Sequence, residues 1–131
     1  MELYELSFCN VEVLRSDIAE VSVFEGVDVD LKMVEEIHQC FLSIFAHSFS
    51  LLINKSNSYS TQFDALVHFG TLQSIDKIAV FAPNKLAKLS ADFSADIPSS
   101  AELNIQVFID RNDALAWLKN NVISTLPKGV E

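Results

Sequence analysis

Glycine, proline and cysteine are all scarce in this chain, at three, three and two among 131 residues. Gly26, Gly70 and Gly129 stand too far apart to write a P-loop or a dinucleotide fingerprint, because both need clustered glycines so that the backbone can approach a phosphate. Nucleotide sites of those two types are excluded. Cys9 and Cys40 form no CxxC pair, and Cys40 falls on the apolar stripe of an expected helix, so both read as free thiols. Basic residues are few as well: nine Lys and Arg stand against eighteen Asp and Glu, for a net charge of −9. A chain that must displace counterions from a phosphate backbone, or settle on an anionic membrane, needs the opposite balance, so no nucleic-acid or membrane partner is expected. No apolar run approaches the length of a membrane span, and the opening residues Met1, Glu2, Leu3, Tyr4 and Glu5 are acidic where a signal peptide is basic. The expected setting is cytoplasmic.

Half of the residues are hydrophobic and 21% are charged, a composition that supports one well-packed core. The length fits a single domain over residues 1–131. Residues 10–15 and 18–24 alternate valines with Glu12, Glu20 and Ser22 around a tight Ser16-Asp17 connection, the pattern of a hairpin. Residues 3–8 either lengthen the first strand or form part of an extended arm over residues 1–9. Beyond Gly26 the period changes. Asp28 or Asp30 caps a helix reaching about Ala46, with Met33, Val34, Ile37, Cys40, Phe41, Ile44 and Phe45 in one stripe. Leu31, His38 and Leu42 fall at the edge of that stripe and form a candidate interface edge.

Residues 49–53 make a strand-length apolar run, and the polar residues 54–60 make a loop. Thr61 and Asp64 match a capping signature for a short helix with Phe63, Leu66, Val67 and Gly70 along one side. A strand at 77–82 precedes a helix starting at Pro83-Asn84 and carrying Leu86, Leu89 and Phe93, which ends near Pro98. Residues 104–109 are the last strand. Asp110 then caps a helix burying Ala114, Leu115, Leu118 and Val122 with Trp117 on its flank, and the tail over 124–131 frays. The fold class is α/β, in the order ββαβαβαβα: a mixed, mostly parallel sheet of about five strands with about four helices, joined by right-handed crossovers.

Catalytic chemistry finds no purchase. His38, His47 and His68 show no metal-ligand spacing, and Glu35 and Glu36 are adjacent on a helix, where neighbouring side chains diverge. No serine sits in a nucleophile elbow. No catalytic residue, metal or cofactor is expected. Ten phenylalanines suit an apolar ligand pocket or, more simply, a core.

Three stretches resemble small stand-alone proteins of the STAS family, similar to the bacterial anti-sigma-factor antagonist of sporulation. They are Val27-Asp28-Val29-Asp30-Leu31; Ile78-Ala79-Val80-Phe81 with Leu86-Ala87; and the closing unit from Val107 to Leu118. The resemblance spans residues 10–122 and implies a sheet covered by helices in a domain that docks to other proteins or binds a small ligand. Related small proteins also resemble the lipid-binding Sec14 type. In anti-sigma-factor antagonists an Asp-Ser-Ser/Thr-Gly stretch carries a phosphoacceptor at the start of the second helix. The corresponding stretch here, Asn54 to Thr61, has no glycine. Ser58, Ser60 and Thr61 are therefore the expected partner-binding residues and candidate phosphoacceptors, with constitutive docking favoured over a phosphorylation switch. The expected function is a non-enzymatic, regulatory protein-binding module, recognised by its partner through the loop over residues 55–61 and the adjoining helix surface. A carrier of a small apolar or lipid-like ligand is the alternative, and an enzyme with an unrecognised site the third reading. The expected partner is a protein, a second copy of this chain included.

Overall fold

The computed structural model describes residues 2–84 and 104–119. The helix expected to carry Leu86, Leu89 and Phe93, its stop at Pro98, Val122 and the tail over 124–131 lie outside the described residues. Among the described residues six strands form the main sheet: β1 (Glu2–Glu5), β2 (Cys9–Arg15), β3 (Ile18–Val23), β5 (Phe49–Asn54), β7 (Ile75–Phe81) and β8 (Asn104–Phe108). They lie side by side in that order, which is their order along the chain. β1, β2 and β3 pair antiparallel, whereas β3, β5, β7 and β8 pair parallel. The sheet is thus mixed and mostly parallel, as the alternation of strand and helix patterns demands, with one strand more than the expected five.

The additional strand is the amino-terminal arm. Residues 2–5 pair with β2, Glu2 opposite Val13 and Glu5 opposite Asn10, and Leu6 N–H donates to the Cys9 carbonyl across the turn. A second, two-stranded ladder joins β4 (Asp28–Val29) to β6 (Ser60–Thr61) in parallel. Each strand is two residues long, too short to show an alternating pattern of its own, so the approach of the two loops creates it.

Three helices lie among the described residues: α1 (Leu31–Ile44), α2 (Phe63–Phe69) and α3 (Arg111–Lys119). Asp30 caps α1, its carboxylate accepting from Met33 N–H at 2.9 Å. Val34, Ile37, His38 and Phe41, spaced three and four apart, are the residues α1 buries. Asp110 caps α3 by accepting from the N–H groups of Asn112 and Asp113. α2 departs from expectation. Its N-cap is Gln62, which makes no side-chain capping bond, because Thr61 is drawn into the β4–β6 ladder. Phe63, which shares one side of the helix pattern with Leu66 and Val67, is 66% exposed, and Ala65 is the residue α2 buries.

Alternation along the strands divides the core in two. Val21, Leu51, Ile78 and Val80 face α1 and α2 in the larger cluster, where Phe41 meets Phe49 at 5.3 Å and Phe45 stacks on Phe49 at 4.4 Å. Ile18, Leu52 and Ala79 face Ala114 and Leu118 of α3 in the smaller one. Glu36 does more than solubilise α1: it accepts from the N–H and hydroxyl of Ser7, fastening the β1–β2 connection to the helix.

Candidate functional site

Because β3, β5, β7 and β8 are parallel, their carboxyl ends share one rim of the sheet, the rim where loops of open α/β folds gather binding groups. Segments 24–30 and 54–62 meet there and are stitched together. Gly26 N–H donates to the Ser58 carbonyl at 2.7 Å, Ser60 N–H to Val27 at 2.9 Å and Gln62 N–H to Val29 at 2.9 Å. The Asn57 amide donates to the Val23 carbonyl at 3.0 Å, and Ser58 N–H to a Glu25 carboxylate oxygen at 3.0 Å. Gly26 turns with φ of 82°, a region in which a side chain would be strained even though nothing lies within 4 Å of an added Cβ.

The three residues singled out in this loop have different surroundings. Ser58 and Ser60 are exposed and Thr61 is half-buried. The Ser60 hydroxyl donates to Asp28 Oδ1 at 2.7 Å, while Gln62 Nε2 donates to the other oxygen at 3.0 Å. These two bonds, that from Gln62 foremost, hold the Asp28 carboxyl below its ordinary pKa. A phosphoryl group on Ser60 would exchange a hydrogen bond for two anions in contact.

The proposed edge of the first helix does not form one surface. Leu31 and Leu42 are exposed, at 38% and 48%, but His38 is buried at 7%. Its ring sits 5.3 Å from that of His68, and its Nε2 lies 3.2 Å from the Phe69 carbonyl. The cause is α2, which packs across α1 at this point and converts a boundary position into an interhelical one. Leu31 and Leu42 then stand roughly 16 Å apart along the helix at 1.5 Å per residue.

Between the sheet, α1 and α2 lies a cavity of about 130 Å³, walled by Val21, Ile53 and Val80, by Val34 and Ile37, and by Leu66. Lys55, Tyr59 and Thr61 are the residues with polar side-chain groups in its lining. Lys55 is anchored by its backbone N–H, which donates to Phe81 at 2.8 Å, and its ammonium lies 3.8 Å from the centre of the Tyr59 ring. Burial lowers the Lys55 pKa and raises that of the Tyr59 phenol, the latter with a lesser push from Cys9. Among the described residues Lys55 has no carboxylate partner, and the Tyr59 hydroxyl has no hydrogen bond. The sequence placed Lys55 and Tyr59 within the loop expected to dock a partner but singled out neither side chain; a lone cation beside an aromatic in a polar loop is the signal they offered.

On the opposite sheet face stands a polar cluster that no motif announced. Glu20, 6% exposed, accepts from the Asn54 amide at 2.8 Å, from Arg111 Nε at 3.3 Å and from Arg111 Nη2. Glu12 lies opposite Glu20 in the strand register, so Arg111 faces two acids, and the hydrogen bonds and charge of Glu20 raise its pKa. Lys77, also buried, donates to the Trp117 carbonyl at 2.9 Å and lies 4.4 Å from that ring's centre. A Glu in the middle of a valine-rich strand was the one visible sign.

Among the described residues no group of three His, Cys, Asp or Glu side chains is placed to hold a metal, and no helix is long and apolar enough to cross a membrane. No protein-family model matches the sequence, and no curated protein matches it. The structure is similar to that of an uncharacterised protein of the DUF3478 family from Shewanella loihica PV-4, described as having a SpoIIAA-like fold. That likeness covers 84% of this chain and 91% of the other, with a TM-score of 0.58 and 16% identity. The chain accordingly has a SpoIIAA-like fold, the architecture that the STAS resemblance of its sequence implies.

Proposed function

We propose that this chain is a non-enzymatic docking module of the STAS type, which binds a protein partner through the rim at the carboxyl ends of its parallel strands. One observation carries the reading. Of the six large hydrophobic side chains that are exposed among the described residues, four belong to this rim: Phe24 directly after β3, Ile109 directly after β8, and Leu31 and Phe63 at the starts of α1 and α2. Exposed apolar side chains gathered at one end, with polar Ser58 and Ser60 between the helix starts, are the makings of a protein interface. The stitched loops support this further, since a surface fixed before binding loses little freedom on docking. The acids of the rim, Glu25 and Asp28, already accept internal bonds, which suits a scaffold rather than an acid–base pair.

The test is comparative capture. Phe63→Ser and Ile109→Ser remove exposed apolar groups and should leave the melting temperature unchanged while losing the partners that wild-type protein retains. Leu3→Ser, on the edge strand β1, should retain them. Identical partner sets for all three variants would refute the rim as the docking surface. Ser58→Glu and Ser60→Glu refine the assignment: the first should alter docking alone, and the second should also lower the melting temperature by repelling Asp28.

A further inference from the structure

We propose that the cavity beneath the rim is a binding site for a small organic monoanion, a carboxylate whose apolar body has about the bulk of one benzene ring. The inference is separate from the docking reading and rests on three observations. The first is size. At about 130 Å³ the space is comparable with an apolar cavity of about 150 Å³ that admits benzene, and it is too small for a long acyl chain. The second is lining: valine, isoleucine and leucine residues from two helices and the sheet surround it, and the lining residues with polar side-chain groups come from one segment, residues 55–61. Small-ligand sites have this composition, a mostly apolar wall with a few converging polar groups that fix orientation.

The third observation is charge. Lys55 borders the cavity half-buried, and among the described residues no carboxylate pairs with it; the Tyr59 ring beneath its ammonium is its sole electrostatic partner. Removing an ammonium from water costs free energy that a ring face offsets only in part. The depression of the Lys55 pKa by burial records the same cost. An anion at this position supplies the missing counter-charge, and Tyr59 and Thr61, which carry hydroxyl donors, line the same cavity. The chain carries a net charge of −9, so an uncompensated lysine in an apolar pocket selects for an anion against the field of the rest of the molecule.

The experiment titrates the full chain with phenylacetate and, separately, with toluene, which has a ring of the same size and no charge. Binding is followed by the NMR shifts of the valine, isoleucine and leucine methyl groups. Phenylacetate should move methyl resonances of Val34, Ile37 and Leu66, and Lys55→Met should weaken it about tenfold or more, the scale of one charge-assisted bond. Lys55→Arg should preserve binding, and toluene affinity should be the same in wild type and Lys55→Met. Val34→Phe, which fills the space, should abolish both, with circular dichroism confirming that each variant is folded. Should Val34→Phe not fold, the Lys55 pair decides alone. Failure of phenylacetate to bind, or equal binding to wild type and Lys55→Met, overturns the proposal. The docking reading would survive that outcome, because Phe63 and Ile109 are not part of the cavity wall.

Discussion

The two faces of the sheet are closed by opposite means. Toward α1 and α2 the strands present valine, leucine and isoleucine to a cluster of phenylalanines, and His38, between the two helices, is the buried polar side chain there among the described residues. Toward α3 the apolar patch is small, and Glu20 and Lys77, both buried, are each satisfied by a partner on the helix: Arg111 at its first turn and the Trp117 carbonyl at its last. Apolar burial is indifferent to direction and makes a thick layer, whereas two charged side chains reaching opposite ends of one short helix set where that helix lies. The phenylalanine face therefore carries most of the stability and leaves a cavity at its end, and the charged face carries register.

The largest effect expected is from Phe41→Ala, which empties a fully buried ring site shared with Phe49 and Phe69. Chemical denaturation should show a loss of about 3–5 kcal/mol. A loss below about 1 kcal/mol would mean that α1 repacks, and the division of labour between faces would fail. Trp117→Ala should cost less, about 2 kcal/mol, since its ring is half-buried and its principal neighbours are Phe108, at 5.6 Å, and the Lys77 ammonium. Equality with Phe41→Ala would put as much of the stability on the charged face as on the apolar one.

Glu20→Ala removes the acceptor shared by Asn54 and Arg111 and should cost about 1–2 kcal/mol, discounted because the Arg111 side chain is 40% exposed. Its sharper reading is spectroscopic: amide shifts in α3 should change more than those in α1, as a register-setting role requires. The smallest effect is pH-dependent and belongs to the apolar face. Burial first, and then the charge of His68, lower the His38 pKa against the raising influence of the Phe69 carbonyl and Glu35. The unfolded chain, with a histidine pKa near 6.5, then binds a proton before the folded one does, so stability holds above about pH 6.5 and declines as pH falls below it. His38→Gln should flatten that decline in thermal melts between about pH 7 and pH 5; an unchanged slope would return His38 to the solvated edge.

Some of these features were legible in the residue pattern and others were not. Alternating valines in β2 and β3, the spacing of Val34, Ile37 and Phe41, and the capping aspartates Asp30 and Asp110 each encode a local choice, because period and capping act within a few residues. The parallel sheet followed from alternation of strand and helix, since such a chain has no other compact way to close. The place of the amino-terminal arm, the burial of His38, the exposure of Phe63 and the β4–β6 ladder were decided by the tertiary structure. Each depends on pairing or packing with another element: the neighbouring β2 for the arm, and more distant partners for the rest, α2 for His38 and segment 24–30 for the ladder that draws Thr61 out of its capping position. The same holds for the Lys55 cavity and for Glu20 with Arg111, 91 residues apart. Pattern within one element fixes which face it buries; what it meets there is settled by how distant elements pack, because contact energies between side chains depend on positions that only the closed fold supplies.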